Sequence, residues 1–402
     1  MAVLRRSGFA NVCNGINEVA YGNDLERPAF RRLAFRTLNV LQAHLRRCEM
    51  QQQSEAGMRH ITRRNVIAVT ASGALSLAVP GIVRGQSAKK EVKFATEFAW
   101  EGNHGLWTLA KDRGYFSEAG IDVNIDRGYG AANNITKLVS KTLDIAIVDP
   151  NLLPKFNAEH PESALITFFI IYDAAPSAII FLKSSGIKAP KDLEGRKLAI
   201  TQGTTPAVLF PVFAKTNGVD PSKVEILAVN AQLRDSMVIQ KSADAAIGFL
   251  TTSVPNLVTN GIDADNVGYF QYNKYGLELY SLGLVCLKSY AKENPDVLRG
   301  FVKAAIKGAS AIIASPEQAI ASVKSRDGLL NDKVELMRTK LMNESALLTP
   351  YVAQNGISSV DRGRFEKSVG QVAASMGVSG PINMDEYYTA AYLPPPAERK
   401  IN

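Results

Sequence analysis

From residue 89 onward, short apolar runs of strand type alternate with segments in which apolar residues recur every three or four positions. The first three runs are EVKFA (91–95), GIDV (120–123) and IAIV (145–148). A helix is predicted over residues 104–114, because Leu106, Leu109 and Ala110 share one face and a glycine follows. Such alternation is typical of an α/β lobe.

The same pattern predicts two lobes joined by two crossings of the chain. An apolar strand is expected at residues 177–182, with the first crossing just beyond it, and the return crossing fits residues 280–287. Helical segments follow, and they are expected to pack back onto the first lobe. The predicted division is therefore a discontinuous lobe 1 of residues 89–183 and 281–402, and a lobe 2 of residues 184–280.

The first 88 residues show a different pattern. Residues 58–67 (MRHITRRNVI) are positively charged, an uncharged run follows to residue 83, and small residues follow at 85–88. This order resembles a twin-arginine signal peptide, so residues 58–88 are predicted to direct export to the periplasm. Residues 1–57 are interpreted as an over-extended reading frame or a disordered extension, with a genuine cytoplasmic extension as the alternative.

Charge and composition then exclude one class of function. The hydrophobic fraction of 46% and the charged fraction of 21% are ordinary for a globular protein with a sizeable core. The net charge of +8 is concentrated at the amino terminus, because residues 1–88 hold twelve of the 46 basic residues and five of the 38 acidic ones. The remainder is nearly neutral, so no nucleic-acid partner is expected.

Three motifs carry a family resemblance. They are WEGNH (100–104), KDRGYFSEAGIDV (111–123) and GYG (128–130). The stretch that contains them, residues 91–150, is similar to the first half-lobe of periplasmic solute-binding proteins of ABC importers. The resemblance is to the group that takes nitrate, sulfonates, taurine or the pyrimidine precursor of thiamine. It looks most like the pyrimidine-binding branch, and the resemblance continues more weakly to about residue 308.

The resemblance implies an α/β, two-lobed type II periplasmic-binding-protein fold with two hinge crossings. It further implies capture of a small-molecule solute by hinge closure, an ABC permease in the inner membrane as partner, and no cofactor. A monomer is expected.

Candidate ligand contacts follow from the rule that open α/β sheets bind ligands beyond the carboxyl ends of their strands. In the first lobe these are Trp100, Asn103, His104, Gly128, Tyr129, Gly130, Asn133, Asp149, Tyr172 and Ser177. In the second lobe they are Thr204, Thr205, Phe249, Tyr275 and Tyr280, of which the two tyrosines are implied by their position in the pyrimidine-binding relatives.

Each contact has a structural alternative. Trp100 could stack on a flat ring, whereas Trp107 is interpreted as a core residue. Asp149 either accepts a hydrogen bond from an amino group or caps the following helix. The hydroxyls of Thr204 and Thr205 either hold an oxyanion or cap a helix.

Catalytic and metal-binding patterns are missing from the sequence. The four histidines show no metal-ligand spacing, and neither a Gly-x-Ser-x-Gly elbow nor a Walker loop occurs. A pyrimidine-biosynthetic enzyme that resembles these binders uses iron and a Cys-rich stretch, which this chain lacks. The prediction is a non-enzymatic receptor for a pyrimidine-type solute. The alternatives are a sulfonate, taurine or nitrate receptor and a pyrimidine-precursor synthase-like enzyme.

Overall fold

The computed structural model describes residues 89–401, and over that range the chain forms ten strands in two five-stranded sheets. The strands are β1 (Lys90–Ala95), β2 (Ile121–Asp126), β3 (Ile145–Val148), β4 (Leu165–Tyr172), β5 (Ser177–Leu182), β6 (Lys197–Ile200), β7 (Glu225–Ala228), β8 (Ala245–Phe249), β9 (Val267–Gln271) and β10 (Ser281–Leu287). The predicted extension and signal peptide, residues 1–88, lie outside the described residues.

Helices cover both sheets. They are α1 (Gly105–Asp112), α2 (Tyr115–Glu118), α3 (Ala131–Val139), α4 (Leu153–Glu159), α5 (Thr205–Thr216), α6 (Ala231–Ile239), α7 (Leu250–Thr259), α8 (Lys288–Glu293), α9 (Pro295–Ala314), α10 (Pro316–Lys324), α11 (Asp332–Met342), α12 (Pro350–Asn355) and α13 (Arg362–Ser375). Of the helices between residues 89 and 401, none has the length and apolarity that a bilayer span requires.

The first sheet has the strand order β2-β1-β3-β10-β4, and the second has the order β7-β6-β8-β5-β9. In each sheet, four strands run in the same direction, and the strand that completes a crossing, β10 or β5, lies antiparallel between two of them. The carboxyl ends of the parallel strands therefore form one edge of each sheet, where ligand sites are expected.

The expected position of the first crossing is wrong. We expected it just beyond residue 182, but β5 pairs with β8 and β9 of the second sheet, so the chain crosses at residues 173–176. All six residues of β5 are buried. A strand that is apolar on both faces carries no sequence signal for the sheet to which it belongs.

The C-terminal helices only partly follow the prediction. Helices α9 and α10 pack on α1 in the first lobe, as expected. By contrast, α11 packs against both α7 and the turn Gly102–His104, and α13 inserts Val372 into the core of the second lobe. These two helices therefore touch both lobes.

The first-lobe core contains Trp107 and Cys286. Trp107 is buried edge-on against Phe94 at a ring-centroid distance of 5.1 Å, which confirms that it is a core residue. Cys286 is buried in β10, and burial raises the pKa of its thiol, which disfavours the reactive thiolate.

Candidate functional site

A cavity lies between the two lobes at the carboxyl ends of their parallel strands. Its volume is about 40 Å³. The empty space between its walls is about 560 Å³ when the part open to solvent is included. Glu97, Phe98 and Glu101 line it from the loop after β1. Arg234, Phe249 and Thr252 line it from the second lobe. A solute bound here would therefore contact both lobes.

The two lobes are closed over this cavity. A methyl group added at Gly130 would lie 3.4 Å from the carbonyl oxygen of Gly203, so the glycine turns of the opposite lobes meet at the rim. The hydroxyl of Thr252 donates a hydrogen bond to Glu101 Oε2 across the cleft, at 3.1 Å. Separation of the two lobes would therefore break both contacts.

Five predicted site residues line this cavity: Gly130, Asp149, Thr204, Thr205 and Phe249. A smaller adjoining cavity is lined by three more, which are Asn103, His104 and Tyr172. Glu97, Ile147 and Leu282 belong to the walls of both cavities. Eight of the fifteen candidates thus line one of the two cavities, and their contact with a solute stays a prediction.

The other candidates line neither cavity. Trp100 packs on the first-lobe core, beside His104. Tyr129 is 64% exposed, and its ring lies under the guanidinium of Arg127. Gly128 packs directly on the backbone of Thr96, where a methyl group would lie 2.1 Å from the carbonyl oxygen.

The remaining four candidates lie in the following places. Asn133 is exposed on α3, and Ser177 is fully buried at the start of β5. Tyr275 packs against Phe270 in the second lobe. Tyr280 is buried and accepts a hydrogen bond from the backbone N–H of Asp361, so both tyrosines lie in packed regions.

Glu97 connects the two cavities. Its Oε1 accepts a hydrogen bond from His104 Nε2 at 3.1 Å. His104 Nδ1 accepts from the backbone N–H of Glu101 at 3.0 Å, so the proton is on Nε2 and the Glu97 contact is a donated one. Glu97 Oε2 is buried and has no hydrogen-bond partner among residues 89–401. A buried carboxylate oxygen left unpaired is costly, which indicates a site for a hydrogen-bond donor.

The carboxylate of Asp149 is fully occupied by the protein. Its Oδ1 accepts from the backbone N–H of Asn151 at 2.9 Å, and its Oδ2 accepts from Ser281 Oγ at 2.7 Å. Burial raises the pKa of this carboxyl, and these hydrogen bonds oppose the shift. Of the two roles left open by the sequence, the structure shows the cap.

Arg234 is also satisfied within the protein. Its Nε donates to Asp235 Oδ1 at 2.9 Å, and its guanidinium donates to Ser253 Oγ at 2.8 Å. Burial opposes ionisation of Asp235, but the charge of Arg234 and the hydrogen bonds from Arg234, Asn256 and Ser253 together outweigh it and lower the pKa of that carboxyl. The residues that line the cavity therefore include no unpaired cation, whereas Glu97 keeps an unpaired carboxylate oxygen, and this favours donors over anions.

Sequence reasoning missed Glu97, Phe98, Glu101 and Arg234. The first two directly follow β1, so the strand-end rule that selected Trp100 applied equally to them. Arg234 had no such signal, because it lies inside α6 and reaches the cavity only by packing on Gly248. A methyl group at Gly248 would be 2.7 Å from its Cζ.

The family model described as "NMT1/THI5 like" matches residues 101–319. The chain is 24% identical over 220 residues to the formylaminopyrimidine-binding protein of Halalkalibacterium halodurans, covering 54% of this chain and 64% of that protein. It is 22% identical to the 4-amino-5-hydroxymethyl-2-methylpyrimidine phosphate synthase of Legionella pneumophila, covering 77% and 94% of the two chains.

Solved structures agree on the fold. The alkanesulfonate-binding protein SsuA of Xanthomonas axonopodis pv. citri superposes with a TM-score of 0.57 at 13% identity, covering 75% of this chain and 99% of that one. The prediction of a two-lobed α/β fold of the periplasmic-binding type is thereby confirmed.

Proposed function

Because the chain belongs to the NMT1/THI5 like family, we propose that it is the solute-binding component of an ABC importer. It captures a small heteroaromatic solute that carries amino groups, of the pyrimidine type, and encloses it by hinge closure without covalent chemistry. It delivers the solute to a permease in the inner membrane. Export by the signal at residues 58–88 and a monomeric state belong to the same proposal.

One observation carries the choice of ligand class, namely the unpaired Oε2 of Glu97. The exocyclic amino group of an aminopyrimidine donates N–H hydrogen bonds in the plane of its ring, and a carboxylate accepts them strongly. Such a ligand would satisfy the buried oxygen that the protein leaves without a donor. The formylaminopyrimidine in the name of one relative belongs to the same ligand class.

Two half-buried phenylalanines support a flat ligand. Phe98 follows β1 in the first lobe, and Phe249 ends β8 in the second, and both line the cavity. Aromatic side chains on opposite walls can stack on the two faces of a heteroaromatic ring. In this proposal they take the stacking role that the sequence analysis expected of Trp100.

The rival ligands are an alkylsulfonate, taurine or nitrate. An oxyanion requires free donors, and the nearest guanidinium, that of Arg234, is already paired with Asp235. It would also lie near the carboxylates of Glu97 and Glu101. The charge of the wall therefore favours the aminopyrimidine class.

A thermal-shift screen of the full chain tests the proposal. We expect 4-aminopyrimidine and related aminopyrimidines to raise the melting temperature, because a ligand at 100 times its Kd adds about 2.7 kcal/mol to the free energy of unfolding. Pyrimidines without an amino group serve as the matched control and should shift it less. A shift with sulfonates, taurine or nitrate alone would contradict the ligand class and leave the fold unaffected.

A further inference from the structure

One guanidinium is in contact with three separate parts of the chain at the back of the cleft. It belongs to Arg338 on α11, whose side chain is only 4% exposed. Arg338 lines neither of the two cavities described above. Its partners come from the first lobe, from the second lobe and from its own helix.

The first-lobe contacts fix the cavity wall. Arg338 Nη1 lies 3.2 Å from Glu101 Oε1, and its Nε donates to Glu335 Oε2 at 2.9 Å. Glu335 Oε2 in turn accepts from the backbone N–H of Gly102 at 2.5 Å. Arg338 thus holds the side chain of Glu101, and Glu335 holds the backbone of Gly102.

The second-lobe contacts are made by Nη1, which also lies against Glu101, and by Nη2. Arg338 Nη1 donates to the carbonyl oxygen of Thr251, and its Nη2 donates to Asn256 Oδ1, both at 3.2 Å. Asn256 Nδ2 then donates to Asp235 Oδ2 at 2.8 Å, which links α7 to the pair of Asp235 and Arg234. A continuous chain of polar contacts therefore runs from one cavity wall to the other.

We propose that Arg338 is a positioning residue for solute capture, which orients Glu101 in the cavity wall and holds the second lobe closed over it. Opening the cleft moves Glu101 away from α7, so the guanidinium must give up its partners on one side. Its planar fork reaches both sides at once, which a lysine ammonium does not. The closed arrangement is therefore favoured before any solute binds, and this claim holds whatever the solute is.

The consequence concerns affinity. A solute that binds the closed form gains apparent affinity in proportion to the fraction of molecules already closed. Loss of one charge-assisted hydrogen bond is enough to lower a population ratio roughly tenfold or more. Arg338 would thus adjust binding strength without touching the solute.

The distance between the lobes in the solute-free full chain tests this claim. Spin labels at Asn133→Cys and Gln202→Cys, both exposed and close to the meeting glycines, report closure by electron–electron double resonance. Cys13 and Cys48 are replaced by serine, and the buried Cys286 stays unlabelled.

We expect a predominant short distance in the parent chain. Arg338→Lys should lower the ratio of short to long distances at least roughly tenfold. Asn256→Ala removes the Nη2 contact to the second lobe and keeps the Nη1 contact to Thr251, so it should shift the ratio in the same direction by less. It remains available if Arg338→Lys fails to fold. Arg326→Lys is the matched control, because Arg326 pairs with Asp112 within the first lobe, and it should change nothing.

Two results would overturn the proposal. One is a parent chain that shows only the long distance without solute. The other is an unchanged distance distribution in both variants, with circular dichroism showing that they are folded. A purely structural role for Arg338 would lower the melting temperature without moving the distances.

Discussion

Replacing Glu97 with glutamine is expected to weaken binding of an aminopyrimidine by roughly ten- to hundredfold. The amide oxygen of glutamine can still accept from His104 Nε2, so the local hydrogen bond is kept. Its NH₂ group would then occupy the place of Oε2, where the ligand requires an acceptor. Two donors would then face each other inside a buried cavity without an acceptor, which raises the free energy of the complex.

Isothermal titration calorimetry of the full chain with 4-aminopyrimidine measures this loss. Glu118→Gln is the matched control, because Glu118 is an exposed carboxylate that pairs with Lys307 at 2.6 Å, and its affinity should equal that of the parent. Equal affinities for the parent and for Glu97→Gln would mean that the unpaired oxygen is not the ligand acceptor.

The second large effect is expected for Phe249→Ala. Stacking of an aromatic side chain on a heteroaromatic ring contributes about 1–3 kcal/mol, so the dissociation constant should rise roughly five- to hundredfold. Phe249 also packs against the core of the first lobe, so its removal weakens closure as well as stacking. The same calorimetric titration measures both contributions together.

Tyr129→Ala is the control for that measurement. Tyr129 is an aromatic residue next to the meeting glycines, but it is exposed and lines neither cavity. Its truncation should leave the affinity within about twofold of the parent's, since substitutions of exposed side chains outside the binding site change free energies little. If Tyr129→Ala weakened binding more than Phe249→Ala, the stacking surface would lie outside the cavity.

The difference between Trp100 and Glu97 shows how far sequence reasoning reached. Both lie in the loop after β1, which the strand-end rule selected and which lines the cavity. The rule gives no direction for individual side chains. The loop's largest aromatic residue was therefore favoured, although it packs on the core, and the carboxylate that lines the cavity was not predicted.

Long-range packing explains the other differences. The helix predicted over residues 104–114 is observed as α1 (Gly105–Asp112), because a clear apolar face specifies a helix locally. The sheet that β5 joins depends on β8 and β9, and the role of Arg338 depends on residues more than 80 positions away. No local pattern encodes such partners.

A crystal structure of the full chain with bound 4-aminopyrimidine tests the central claim most directly. The account predicts the amino nitrogen at about 2.7–3.2 Å from Glu97 Oε2 and the ring between Phe98 and Phe249. A ligand held at the 128–133 turn and Thr204, with Glu97 Oε2 still unpaired, would contradict it.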